Sequence, residues 1–275
     1  MQLEFTKMHG LGNDFIVFDA PRDWPVDRQR LRALASRKTG IGFDQALVLE
    51  VPRQAETAVY YRIFNADGTE VEQCGNGARC VARLIADRRG LERGEFLMGS
   101  PAGLVTARTE PNGQVSVAMG TPSFLPSALP FEATSDVPFH ALALRNQTIH
   151  ISVVSIGNPH AVLKVASIEQ APVDSLGPEV ENHPRFSRRT NVEFMEVVSA
   201  THIRLRVYER GVGETAACGT GACAAVAVGQ RQGWLSTQVD VDVPGGRLQV
   251  EWQGDKHPIW LTGPTTTVFK GQMDL

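Results

Sequence analysis

A tight glycine-rich cysteine turn occurs twice in this chain, as Cys74-Gly75-Asn76-Gly77-Ala78 and as Cys218-Gly219-Thr220-Gly221-Ala222, each running into a small-residue apolar segment. The repetition is wider than the turns. Upstream of each cysteine a short apolar strand ends on an aromatic residue, so that Tyr61-Arg62-Ile63-Phe64-Asn65 aligns with Leu205-Arg206-Val207-Tyr208-Glu209. Farther back, Gly12-Asn13-Asp14-Phe15-Ile16-Val17 matches Gly157-Asn158-Pro159-His160-Ala161-Val162, and one insertion reconciles the two alignments. Several landmarks kept in order point to a doubled ancestral half. Two copies give a pseudo-two-fold protein, since a solenoid needs three or more repeats.

The chain has 275 residues, of which 42% are hydrophobic, enough for one large domain or two modest ones; the duplication favours two. A formal net charge of −3 without a basic run argues against nucleic acid or an anionic membrane as the main partner and favours a small molecule. The first residues, Met1 to Lys7, lack the apolar core of a signal peptide, and no apolar stretch reaches the ~18 residues of a membrane span. A soluble, cytoplasmic protein is expected. All four cysteines fall in the two turn-helix units (Cys74 and Cys80, Cys218 and Cys223) rather than along loops, which predicts thiols in a reducing compartment and not a disulfide framework.

Strand-like segments rich in β-branched and aromatic residues dominate: 15–18, 46–51, 59–64, 115–118, 149–154, 161–165, 203–208 and 239–243. Helical spacing predicts helices over Asp27–Ser36, over Ala78–Arg89 with a stop at Gly90, and over Ala222–Gln232 with a stop at Gly233. The last is almost uncharged and is expected to be buried on most sides. Four prolines make Thr121–Pro138 the candidate inter-domain crossing. Val173–Arg189 reads as a loop with a helical turn.

A thiol at the first turn of a helix feels the positive end of the macrodipole and unpaired N–H donors, both of which favour thiolate. The same N–H groups make an anion site, for which a substrate carboxylate is the natural occupant. Two such turns could hold one carboxylate between them with a thiol on either face of the adjacent carbon, which is the arrangement for moving a proton from one face to the other. Cys80 and Cys223, inside the helices, read as small buried hydrophobes. No metal site is expected, because the cysteine spacings are not those of zinc knuckles.

Four blocks together resemble the diaminopimelate epimerase family: Lys7 to Phe15, Glu72 to Cys80, Gly157 to His160, and Tyr208 to Gly211 with Ala217 to Gly221. The resemblance spans essentially the whole chain. It implies an isomerase that needs no pyridoxal or other cofactor and converts LL-2,6-diaminopimelate to the meso form for lysine and peptidoglycan. The implied fold is α/β (α+β), with two pseudo-symmetric domains, each a mostly antiparallel barrel-like sheet around a central helix, and the active site in the inter-domain cleft. Domain limits of 1–118, with 265–275 returning to it, and 119–264 follow.

The resemblance further implies that Cys74 and Cys218 are the two acid/base thiols, with His160 and Glu209 adjusting their pKa values. It puts Gly75, Asn76, Gly219 and Thr220 on the reacting carboxylate. Asn13, Gln45, Asn65, Asn158, Asn191, Glu209 and Arg210 would line the substrate site, Arg210 pairing with the distal carboxylate. A homodimer is implied, with Phe269 at a contact where the family often has tyrosine. Two other readings stay open: a proline or hydroxyproline racemase, against which the polar set Asn65, Asn191 and Arg210 stands, and a non-enzymatic thiol or metal-binding module. A thiol hydrolase has no use for a second thiol.

Overall fold

A computed structural model describes residues 2–133 and 135–274. The chain divides into two compact units: one takes in the chain up to Ala118 together with the stretch from Thr262 onward, the other spans Met119–Leu261. The proline-rich segment 121–138 therefore lies within the second unit and does not link the two. Its prolines break it into a single 3-10 turn, Pro126–Ala128, and isolated bridges such as Phe131 with Phe186.

The first unit runs β1 (Gln2–Gly10), β2 (Asn13–Asp19), α1 (Arg28–Ala35), β3 (Gln45–Glu50), β4 (Thr57–Asn65), β5 (Glu70–Val71), α2 (Gly75–Arg88), β6 (Gly94–Ser100), β7 (Gly103–Thr109) and β8 (Gln114–Ala118). The C-terminal strand Thr266–Asp274 pairs antiparallel with β1. Neighbours are antiparallel except at two joints, β2 with β3 and β4 with β6. A parallel joint needs a crossover rather than a hairpin. Here α1 makes the first and α2 the second. β1, β2, β4, β7 and β8 all contact α2, so the sheet wraps that helix. Its residues are buried almost all round, from Gly75 to Ala82 and from Leu84 to Ala86.

The second unit repeats the plan with β9 (His140–Ala143), β10 (Thr148–Ser155), β11 (Pro159–Lys164), α3 (Val173–Glu181), β12 (Asn191–Ser199), β13 (His202–Glu209), β14 (Gly213–Thr215), α4 (Gly219–Arg231), β15 (Gln238–Val243) and β16 (Gly246–Glu251). Its parallel joints are β11 with β12, across α3, and β13 with β15, across α4. β10, β11, β12, β13 and β16 contact α4, which is buried continuously from Gly219 to Gly229. Matching registers make the duplication concrete: Phe15 stands beside Gln45 and Ala46 opposite Phe64 in one unit, His160 beside Asn191 and Val192 opposite Tyr208 in the other.

The segment after Val173 is a helix of nine residues, not a loop with one turn. Gly177 and Pro178 in its middle hide the helical pattern, yet the parallel joint requires an element there, as α1 is required between β2 and β3. Strands β2 and β12 are covered on both faces, and Phe15 to Phe18 and Asn191 to Met195 are buried without alternation. In β2, Phe15 faces α2, while Ile16 and Phe18 join Leu31, Leu34 and Phe43 in the core under α1.

Candidate active site

Both central helices start on the cysteine itself. Helix α2 begins at Gly75 and α4 at Gly219, three residues before the expected Ala78 and Ala222, with Cys74 and Cys218 as extended N-cap residues. The Gly-x-Gly sequence hides this start because glycine is a poor helix former. Its reason is packing. A Cβ on Gly77 would stand 3.0 Å from Leu47 and 3.4 Å from Phe15, and one on Gly221 would stand 3.1 Å from Glu193 and from Val207.

In the first half-site Cys74 is partly buried, and its Sγ accepts from Gly77 N at 3.4 Å and faces Asn13 Oδ1 at 3.8 Å. Asn13 follows Gly12, whose φ of +90° is matched by +86° at Gly157 before Asn158. That left-handed conformation favours glycine and sets both asparagines at the head of a strand aimed at the helix start. Asn76 Nδ2 donates to Asn13 Oδ1 at 3.3 Å, and Arg79 Nη2 donates to Asn76 Oδ1 at 3.0 Å. Asp44 accepts from Asn13 Nδ2 at 3.1 Å, fixing which end of the amide faces the thiol. Gln45 Nε2 donates to Asn65 Oδ1 at 2.9 Å, leaving Gln45 Oε1 buried without a hydrogen-bond partner among the described residues.

In the second half-site Cys218 is 6% exposed, with its Sγ 3.5 Å from Thr220 Oγ1. Thr220 Oγ1 lies 3.4 Å from Asn158 Nδ2, Asn158 Oδ1 accepts from His160 Nε2 at 2.8 Å, and His160 Nδ1 meets Glu193 Oε1 at 2.6 Å. His160 thus reaches the thiol through two intervening side chains. Glu209 accepts from Thr215 Oγ1 at 2.5 Å. Asn191 spends both ends of its amide on backbone, donating to Pro159 O and accepting from Arg210 N, each at 3.0 Å. It holds the Arg210 corner. The Arg210 guanidinium has one long contact, 3.4 Å to Arg188 O, and no carboxylate partner among the described residues.

The electrostatics correct one expectation. Burial, followed by the carboxylates of Glu209 and Glu193, pushes the Cys218 thiol well above the ordinary cysteine range, although the Thr220 hydroxyl and the Gly221 N–H pull the other way. Desolvation disfavours the charged form more than a helix N-terminus favours it. Cys218 is therefore a neutral thiol at neutral pH. Cys80 is pushed up to about 12 by burial and Cys223 is fully buried, in keeping with their reading as core residues.

Three residues with a place in the site were not singled out by sequence reasoning: Asp44, Arg79 and Glu193. Arg79 lies one turn after Asn76 on the same helix, where an i, i+3 contact is expected. Phe269, the expected subunit contact, is 47% exposed and stacks edge-on against Phe5 at 5.9 Å. None of the four cysteines is in a disulfide. Among the described residues no group of three or more His, Cys, Asp or Glu side chains could hold a metal ion, and no helix is long and apolar enough to cross a membrane.

The family model described as diaminopimelate epimerase matches residues 5–125 and 152–268. A diaminopimelate epimerase of Pseudomonas aeruginosa is 48% identical over 276 residues, and one of Thioalkalivibrio sulfidiphilus is 52% identical over 279, each alignment covering all of both chains. Among solved structures, a probable proline racemase of Agrobacterium radiobacter superposes with a TM-score of 0.73 at 17% identity, over 99% of this chain and 93% of that one. That likeness extends to the fold alone.

Proposed function

This chain belongs to the diaminopimelate epimerase family, and on that premise we propose that it epimerises LL-2,6-diaminopimelate to the meso form with Cys74 and Cys218 as the acid/base pair. One thiolate removes the α-proton while the other group, as a thiol, protonates the opposite face. The reverse direction exchanges the roles. The observation that carries the reading is the repeated half-site, a cysteine N-cap on a buried helix followed by Gly and a polar side chain, built once in each unit.

An amino-acid α-proton is weakly acidic, so the developing carbanion needs stabilisation. The N–H groups at the starts of α2 and α4, at Gly75 and Asn76 in one half-site and at Gly219 and Thr220 in its repeat, supply preorganised donors for the α-carboxylate. Nothing in this scheme calls for a cofactor. The neutral Cys218 supports its service as the acid when Cys74 is the base. Gln45 Oε1, lacking a partner among the described residues, suits a substrate ammonium, and the Arg210 guanidinium suits the distal carboxylate. Asn13 and Asn158 orient the two thiols, while Asn65 and Asn191 hold Gln45 and Arg210. His160 and Glu209 set the electrostatics of the Cys218 side.

Working thiols require a reducing compartment, which favours the cytoplasm. The exposed Val268 and Phe269 on the C-terminal strand suit a contact between two copies of the chain. The test is incubation of purified protein with LL-diaminopimelate, without added cofactor, followed by chiral analysis. Appearance of the meso isomer is expected. Lysine, which lacks the distal carboxylate, should turn over poorly, since unpaired buried polar groups discriminate by about 10⁴. Comparable turnover of lysine and diaminopimelate would overturn the substrate assignment.

A further inference from the structure

The hydrogen-bonded chain that ends at Cys218 begins at Glu193, a fully buried carboxylate on β12. By register, Glu193 stands beside Val162 as Leu47 stands beside Val17, and His160 stands beside Asn191 as Phe15 stands beside Gln45. The second half thus carries His160 and Glu193 where the first carries Phe15 and Leu47. Leu47 and Glu193 back the same helix turn: Gly77 packs on Leu47, with Phe15 beside it, and Gly221 on Glu193. Placing an imidazole and a carboxyl in a fully buried shell carries a desolvation cost that a phenyl and an isobutyl group avoid. The first half shows that the fold is built without them.

The proton inventory makes the pair specific. Asn158 Oδ1 can only accept, so His160 Nε2 carries a hydrogen. At 2.6 Å, Nδ1 and Glu193 Oε1 hold one further proton between them, leaving the pair neutral overall whichever atom owns it. His160 Nε2 is therefore a donor and not a proton acceptor for Cys218. Asn158, held by its oxygen, turns its Nδ2 to Thr220 Oγ1, which meets Cys218 Sγ. Glu209 is the other carboxylate acting on this thiol.

We propose that Glu193 is a positioning residue for the Cys218 half-site: it locks His160 in the Nε2–H form, which orients Asn158 and through it Thr220 and the thiol. The proposal rests on the epimerase reading for its effect on rate, but not for its effect on His160. The experiment combines ¹⁵N NMR of the His160 ring in substrate-free protein with kinetics of E193L, H160F, E193Q and the double variant H160F/E193L, which copies the pair of the first half.

Nε2 should report as protonated in the parent protein and as a mixture of tautomers in E193L. In kinetics, E193L should lower kcat on the order of 10- to 100-fold, the scale for losing an outer partner of an oriented imidazole, with a smaller change in KM. E193L should cost nothing further in the H160F background. E193Q, whose amide can donate to Nδ1, should recover part of the loss.

Unchanged His160 nitrogen shifts and kcat in E193L, or penalties that multiply in the double variant, would overturn the proposal. Should E193L not fold, E193A removes the Nδ1 partner in the same way, and His160 ring shifts and kcat both at parent values in E193A do the same. A parent protein inactive on diaminopimelate whose His160 still responds to Glu193 counts against the substrate reading and for the pair.

Discussion

Thr220 Oγ1 stands 3.5 Å from Cys218 Sγ, whereas Asn76, the residue at the same place after Cys74, turns its amide to Asn13. The two half-sites share a backbone plan and differ in how the thiol is served. The Thr220 hydroxyl is one of the few groups that lower the Cys218 pKa against its burial. In T220V the thiol should rise further. The limb of the pH–rate profile that needs Cys218 as thiolate should then move to higher pH, with a rate loss on the order of 10-fold, one neutral hydrogen bond. T220S should restore the parent profile, and a T220V profile equal to the parent would remove Thr220 from the half-site.

Replacing Cys74 or Cys218 by alanine should each cost at least ~10³ in epimerisation, the scale of a lost general acid or base. In deuterated water, label should enter product before it appears in recovered substrate, because the group returning the proton is not the one that took it. Near-parent turnover by either variant, or equal labelling of substrate and product from the first turnover, would indicate a single base. C80A and C223A should keep activity and lose only packing, about 1 kcal/mol in denaturant titration.

Gly177 in α3 should resist a change that usually stabilises a helix. Alanine gains roughly 0.8–1 kcal/mol over glycine in a helix interior. Here its Cβ would lie 2.6 Å from the Tyr208 ring, far inside contact distance. Overpacking of this kind costs typically 1–3 kcal/mol. The clash outweighs the propensity gain, so G177A should lower Tm. A rise in Tm would show that Tyr208 moves aside freely.

Legibility in the sequence followed how locally each feature is determined. The cysteine turns and the Gly12-Asn13 and Gly157-Asn158 corners stand out because their glycines answer to backbone geometry and close packing, which few other residues satisfy. Strands such as 59–64 announce themselves by alternation. Helix α3 does not, since Gly177 is there for Tyr208 and Pro178 breaks the propensity; only the doubled topology demands it. Glu193 was illegible for another reason. In Asn191-Val192-Glu193-Phe194 the polar residues alternate as on a solvent-facing strand, and only α4 on one face and α3 on the other bury them all. Likewise the macrodipole argument pointed Cys218 toward thiolate, because desolvation cannot be read from a motif.

Alkaline pH should destabilise the fold through its buried thiols. The Cys80 thiol ionises near 9.0 when exposed and at about 12 in the folded protein, chiefly because burial disfavours the thiolate. Between these values the unfolded chain has lost the proton that the native state retains, so ΔG of unfolding falls as pH rises. The stabilisation is complete below the unfolded value and is lost on approaching the folded one. The slope from one such group approaches about 1.4 kcal/mol per pH unit. Cys218, shifted in the same direction, adds to it. C80A should flatten the stability curve above pH 9 while leaving it parallel to the parent below pH 8. Urea titrations across that range measure the effect, and a C80A curve as steep as the parent's would assign the alkaline loss to other groups.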